Sequence, residues 1–231
     1  MNNLEDIISK IQVYIDDKDS IRETSLKYAR TVIIHCRKAI QLIHQQKMQQ
    51  AEELIKKGSA TLAELYDVTK DHADLSKAGY VENAAQEFVE AQCLYNILHH
   101  EALPDPDTIQ TTYTAYLMGL CDVVGELRRK ALDMVLAGDQ KDAQQYLVIM
   151  EDIYAAIIRF DYPSSLIPIK RKQDIARNLI EKTRGELAVA SCEQRIEYRT
   201  DEFRGLLDVI NKQKEHSMQK KQEDLDLDRV W

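Results

Sequence analysis

Apolar residues recur along this chain at three- and four-residue intervals, the period of an amphipathic helix. Over residues 3–17, Leu4, Ile7, Ile8, Ile11 and Ile15 mark one such face. Asp17-Lys18-Asp19-Ser20 predicts a break or a cap before a second helical stretch over 20–46, and a third runs over 49–70. Gly79 precedes an unusually apolar stretch over 80–100. Leu103-Pro104-Asp105-Pro106-Asp107 is a loop, because each proline restricts the residue before it. A helix over 109–136 ends at Gly138, another spans 139–159 and stops before Asp161-Tyr162-Pro163, and the next runs from Pro168 to 190. Residues 191–231 are helix-prone and end in a frayed acidic segment, EDLDLDRVW. The expected fold is all-α, an antiparallel helical bundle over 1–190 with an additional C-terminal helical extension over 191–231.

Composition narrows the class further. Only 7 Gly and 4 Pro occur in 231 residues, too few turn formers for a β-sandwich, a β-barrel or a many-stranded α/β fold. No Gly-rich phosphate loop is present. Cys36, Cys93, Cys121 and Cys192 form no CxxC pair and fit no zinc spacing, so reduced, mostly buried thiols are expected. No apolar run approaches the roughly 20 residues that span a bilayer, and the N-terminus is unlike a secretory signal, so the expectation is a cytoplasmic protein without a membrane partner.

Charge changes the picture more. The net charge of −8 conceals a segregation along the chain. Residues 22–51 hold six Lys or Arg against one Glu. From Ala78 to Leu127 there is no Lys or Arg at all, while Glu82, Glu87, Glu90, Glu101, Asp105, Asp107, Asp122 and Glu126 all fall there. Solvated helices usually mix signs, since opposite charges at i,i+4 help by a few tenths of a kcal/mol. Glu87 and Glu90 instead sit among Ala84, Ala85, Phe88, Val89 and Leu94, and Asp122 and Glu126 among Leu120, Val123, Val124 and Leu127.

Helices apolar on nearly all sides are central. Carboxylates on them must be paired, protonated or bound to a cation, and the local sequence offers no basic partner. The i,i+3 pair Glu87/Glu90 and the i,i+4 pair Asp122/Glu126 each project from one helix face. On an antiparallel helix pair they can surround a small volume, and oxygen donors of this kind suit Mg²⁺ or Mn²⁺. The competing reading is two acidic pairs on solvated helix surfaces.

These same residues carry a resemblance. Gln86-Glu87-Phe88-Val89-Glu90-Ala91 and Gly119-Leu120-Cys121-Asp122-Val123-Val124-Gly125-Glu126-Leu127 resemble two segments of translin-associated factor X. The stretch from Ala29 to His44 is similar to the basic first helix of the translin family. Ala137-Gly138-Asp139 and Ile153-Tyr154 fall in the family's order, and Lys170-Arg171-Lys172-Gln173-Asp174 is nearer to translin itself. The resemblance covers about residues 20–190. It implies an all-α fold, a closed hollow homo-oligomer such as an octamer, and RNA or single-stranded DNA as partner. For the catalytic branch it implies Mg²⁺-dependent endoribonuclease activity, with Glu87, Glu90, Asp122 and Glu126 matching the acidic cluster, as metal ligands or with one as general base. The C-terminal forty residues extend beyond the family's usual end, and Thr31 and His35 replace acids common in its first helix.

Arg30, Arg37 and Lys38 are candidate phosphate contacts, which give salt-dependent binding without sequence specificity; the alternative is a solvated basic face or an intersubunit salt bridge. Arg129, three residues after Glu126, either neutralises a carboxylate or touches substrate phosphate. Lys170, Arg171 and Lys172 read as a solvated charge run at a helix start, with RNA contact as the alternative, and His99 and His100 as helix-end surface residues, with metal ligation as the alternative. Tyr95, Tyr113, Tyr116 and Tyr154 read as core. Two rival functions remain open: a non-catalytic RNA- or DNA-binding scaffold like translin, and an all-α nucleoside triphosphate pyrophosphohydrolase, whose second acidic pair would be ExxD where this chain has DxxxE.

Overall fold

The structure, a computed structural model, describes residues 3–227, with side chains through residue 214. Among the described residues the elements are α1 (Leu4–His44), α2 (Met48–Thr69), the single turn α3 (Ala73–Ser76), α4 (Gly79–Leu98), α5 (Tyr113–Leu136), α6 (Gln140–Ile157) and α7 (Lys170–Leu227), with no strand. The all-α expectation is met. No helix among the described residues is long and apolar enough to cross a membrane.

Two boundaries differ from the sequence expectation. Asp17-Lys18-Asp19-Ser20 does not break α1, which runs unbroken from Leu4 to His44. Charged residues cap helices but do not interrupt them, whereas proline and glycine do, and the first of either is Gly58. Lys18 ion-pairs with Asp74 instead. Likewise there is no separate C-terminal helix. No proline follows Pro168, so α7 continues through Leu227, and Gly185 and Gly205 sit in it with open space around them. The acidic end expected to fray from 223 is helical as far as Leu227, and 228–231 lie outside the described residues. Smaller differences follow local chemistry. α5 starts at Tyr113 rather than 109, because the Thr112 hydroxyl accepts from the Ala115 amide at 3.0 Å and fixes the N-cap there.

The chain divides into two compact units, Met1–Thr183 and Arg184–Trp231. In the second, Ile196, Phe203, Leu206 and Ile210 are exposed. In the first, α4 is the hub: it packs on α1, α2 and α5, and α5 packs in turn on α6. Val81, Ala84, Ala85, Phe88, Val89 and Leu94 of α4 are fully buried. On α1 the buried residues include Val32, Cys36, Ala39 and Ile43, while Leu4, Ile7, Ile8, Ile11 and Ile15 remain exposed. Cys36, Cys93 and Cys121 are buried free thiols, and Cys192 is exposed.

Gly119 sets the distance between α4 and α5. A Cβ there would lie 2.7 Å from the Gln86 carbonyl oxygen and 2.8 Å from Val89 Cβ. Neither is the tip of a flexible side chain, so Gly119→Ala forces the two helices apart. Overpacking of this kind costs about 1–3 kcal/mol. The expected result is a melting temperature lower by several degrees; an unchanged melting temperature would show that the two helices are not held this closely.

Candidate functional site

The close α4–α5 approach brings both acidic pairs to one place. Glu87 and Glu90 come from the middle of α4, and Asp122 and Glu126 from α5, one and two turns after Gly119. Glu90 is the focus. It lies largely buried, and its carboxyl pKa is pushed up to about 8, first by burial and then by the charges of Asp122, Glu87 and Glu126, with Lys172 pulling the other way. That pattern places the charges of Asp122, Glu87 and Glu126 within reach of Glu90. The Cys36 thiol beneath them is also pushed up, by burial and by Glu87 and Glu90.

The counter-charges are a correction to the sequence reading. No basic residue is near in sequence, but three arrive from distant elements. Arg37 of α1 clasps Glu87 with two nitrogens, Nη2 donating to Oε1 at 2.6 Å and Nε to Oε2 at 3.1 Å. Lys172 of α7 donates to Asp122 Oδ2 at 2.5 Å and to the Met118 carbonyl at 3.2 Å. Gln86 donates to the same Asp122 oxygen at 2.6 Å. His44, the last residue of α1, meets Glu126 Oε2 through Nε2 at 2.5 Å, and its buried Nδ1 has no partner. Glu90 alone makes no hydrogen bond or ion pair among the described residues. His44, Gln86 and Lys172 are therefore parts of the site that sequence reasoning missed. Lys172 was visible only as one member of a charge run, Gln86 only as the neighbour of Glu87.

The remaining candidates fall around this centre. Arg37 is spent on Glu87, although its side chain is still 67% exposed. Arg30, Lys38 and Arg129 are exposed and make no ion pair among the described residues. Arg129 therefore does not neutralise Glu126. His99 and His100 are exposed at the end of α4, His99 stacked on Tyr95 at 4.7 Å. Tyr95 is core, but Tyr113 is 64% exposed, its hydroxyl donating to Asp107 at 3.3 Å.

The donor set is entirely oxygen, as a hard divalent ion requires, and the partnerless, buried Glu90 is a place where a cation would be stabilised. The side chains are not closed around one. Among the described residues, no three His, Cys, Asp or Glu side chains are grouped to hold a metal ion. Arg37, Lys172 and His44 instead each engage one of the other three carboxylates, Glu87, Asp122 and Glu126 respectively.

The model of the Translin family matches residues 20–184. An uncharacterized protein of Methanocaldococcus jannaschii is 34% identical over 187 residues, covering 75% of this chain and 78% of its own length. The crystal structure of AfC3PO is 32% identical, with a TM-score of 0.71, and covers 80% of this chain and 97% of its own. A structure of AfC3PO with duplex RNA gives the same identity and coverage and a TM-score of 0.70. Apo-NeC3PO, 18% identical with a TM-score of 0.67, shares the fold.

Proposed function

Because the chain belongs to the translin family, we propose that it binds RNA and hydrolyses it as a metal-dependent endoribonuclease of the translin-associated factor X branch. Glu87, Glu90, Asp122 and Glu126 are the proposed ligands of Mg²⁺ or Mn²⁺. The observation that carries this is the convergence of three carboxylates on a buried Glu90 that has no partner of its own. The likeness to a protein crystallised with duplex RNA supports RNA as the substrate class. When bound, a divalent ion supplies a water of lowered pKa and a counter-charge for the scissile phosphate. The chain's own residues do the rest. Gln86 orients Asp122, the His44 imidazole holds Glu126, and Arg30, Lys38 and Arg129 face the RNA backbone. A closed homo-oligomer, octameric or similar, would enclose the strand.

A second reading is favoured by a specific observation. Three of the four carboxylates already have a partner, as in a scaffold that binds nucleic acid without cutting it. Incubating the protein with labelled single- and double-stranded RNA, in Mg²⁺, Mn²⁺ or EDTA, separates the two. The expected result is metal-dependent cleavage that Asp122→Ala abolishes while RNA binding persists. Binding without cleavage in every metal would establish the scaffold; cleavage that EDTA leaves untouched would overturn the metal site.

The phosphate contacts carry their own prediction. Each of Arg30→Ala and Lys38→Ala is expected to weaken RNA binding uniformly across sequences. Each should also reduce the slope of log affinity against log salt by roughly one. An unchanged slope would remove that residue from the interface.

A further inference from the structure

One cation of the first unit has no role in the acidic centre. Lys130 is only 9% exposed, yet it makes no hydrogen bond or ion pair among the described residues. Burial covers its aliphatic stem, while the ammonium at the tip reaches an open cleft without an acceptor from the chain. Glu126, one turn before it on α5, is occupied by His44. Lys130 lines a cleft of about 330 Å³ together with Gln46, His99, His100 and Tyr146, and no carboxylate contributes to the lining. The cleft is thus rich in donors: an ammonium, two imidazoles, an amide and a phenol. Burial, helped by Asp142 and Asp139, raises the Tyr146 pKa, so this hydroxyl stays a donor at neutral pH.

The rims of the cleft are strained. Gln46 and His100 have φ of 60° and 58°, the left-handed region where glycine is the easy choice. Each follows a helix end, and the amides after them close onto Leu42 and Asn96 at 2.9 Å. Both helices thus stop on a non-glycine residue in this conformation, and both stops border the one cleft. The C-terminal ends of α1 and α4 meet here. Ile43, Met48 and Leu98 give the cleft an apolar floor.

We propose that this cleft binds a phosphate monoester, with the Lys130 ammonium as its counter-charge, the imidazoles, Gln46 and Tyr146 as donors, and the apolar floor under its organic body. A tetrahedral dianion has the acceptor oxygens to satisfy several donors at once. The monoester can come from a free nucleotide or from the phosphorylated end of a strand. The second source rests on the RNA reading above. It fits the location: four residues along α5 separate Lys130 from Glu126, a rise of about 6 Å.

The test uses the full chain in EDTA, so that neither cleavage nor metal binding enters. Uridine 5′-monophosphate and inorganic phosphate are titrated by calorimetry, followed by one RNA oligomer with a 5′-phosphate and the same oligomer with a 5′-hydroxyl. The nucleotide is expected to bind saturably, and more tightly than inorganic phosphate because of the apolar floor. Lys130→Met should weaken it at least tenfold, and Lys130→Arg should retain it. Should Lys130→Met fail to fold, the Gln46→Gly/His100→Gly variant, which relieves the left-handed strain, should still lose affinity several-fold. Wild type and Lys130→Met binding the nucleotide equally, or no saturable binding at all, would overturn the proposal. Preference for the 5′-phosphate oligomer that disappears in Lys130→Met identifies a strand end as the source; a Lys130-dependent nucleotide site with no such preference identifies a free nucleotide. Lys130-dependent nucleotide binding without any RNA binding would leave the cleft standing and remove the RNA reading. RNA binding with no effect of nucleotide or end group would do the reverse.

Discussion

Glu90→Gln is expected to make the metal-free protein more stable and inactive at once. The sign follows from linkage. The folded-state pKa of Glu90 is about 8, against 4.5 for the ordinary carboxyl. The folded protein therefore holds a proton that the unfolded chain releases between those values. Its stability contribution is intact below about pH 4.5 and is lost as pH rises through 8. The full shift corresponds to roughly 5 kcal/mol, and residual solvent access trims the expected effect to about 2 kcal/mol. A neutral glutamine removes that slope. In EDTA at pH 8 the variant should melt several degrees above wild type, and the two should converge at pH 5. In Mg²⁺ the order changes. Wild type gains stability by binding the ion, by RT ln(1 + [Mg²⁺]/Kd), while Glu90→Gln gains little and cleaves no RNA. Thermal melts at three pH values, with and without Mg²⁺, check this. Equal pH slopes for the two proteins would show that Glu90 is an ordinary solvated carboxylate.

The acidic cluster was legible in the sequence because helical spacing and apolar flanks are local properties. Glu87/Glu90 and Asp122/Glu126 sit on two helices whose apolar sides bury them, and periodicity is enough to see that. Its partners were not legible. Arg37 and Lys172 each lie 50 residues from their carboxylates and His44 lies 82 away, so only the packing of α1 and α7 brings them in. A stretch without basic residues is therefore no measure of an unpaired site. The break or cap expected at 17–20 failed for the opposite reason. It rested on a charge pattern, while helix continuity is decided by backbone chemistry, and no proline or glycine occurs there. Gln46 and His100 illustrate a further limit: glycine punctuates turns visibly, as Gly138 with φ 80° does, but a non-glycine residue forced into the same conformation leaves no mark in the sequence.

Lys172→Met is expected to expose the competition between the chain's own cations and a divalent ion. Lys172 is 19% exposed and Asp122 30% exposed, so their pair is only partly screened by water. Removing the ammonium leaves Asp122 with Gln86 as its one hydrogen-bond donor, and it also lifts the Glu90 pKa further, since Lys172 is what holds it down. Breaking a fully buried pair costs 3–5 kcal/mol; here the metal-free loss should be about 2–3 kcal/mol. The methionine stem preserves packing, so the loss reports charge rather than volume. Mg²⁺ should then restore more stability to Lys172→Met than it adds to wild type, because Asp122 is free to turn inward without first giving up an ion pair. The double variant Asp122→Asn/Lys172→Met removes both charges. It should recover most of the metal-free stability and respond less to Mg²⁺ than either parent. If Mg²⁺ stabilises wild type and Lys172→Met alike, ammonium and metal do not share Asp122. The two ion pairs and the His44–Glu126 hydrogen bond are then the resting chemistry of a site that holds RNA without cutting it.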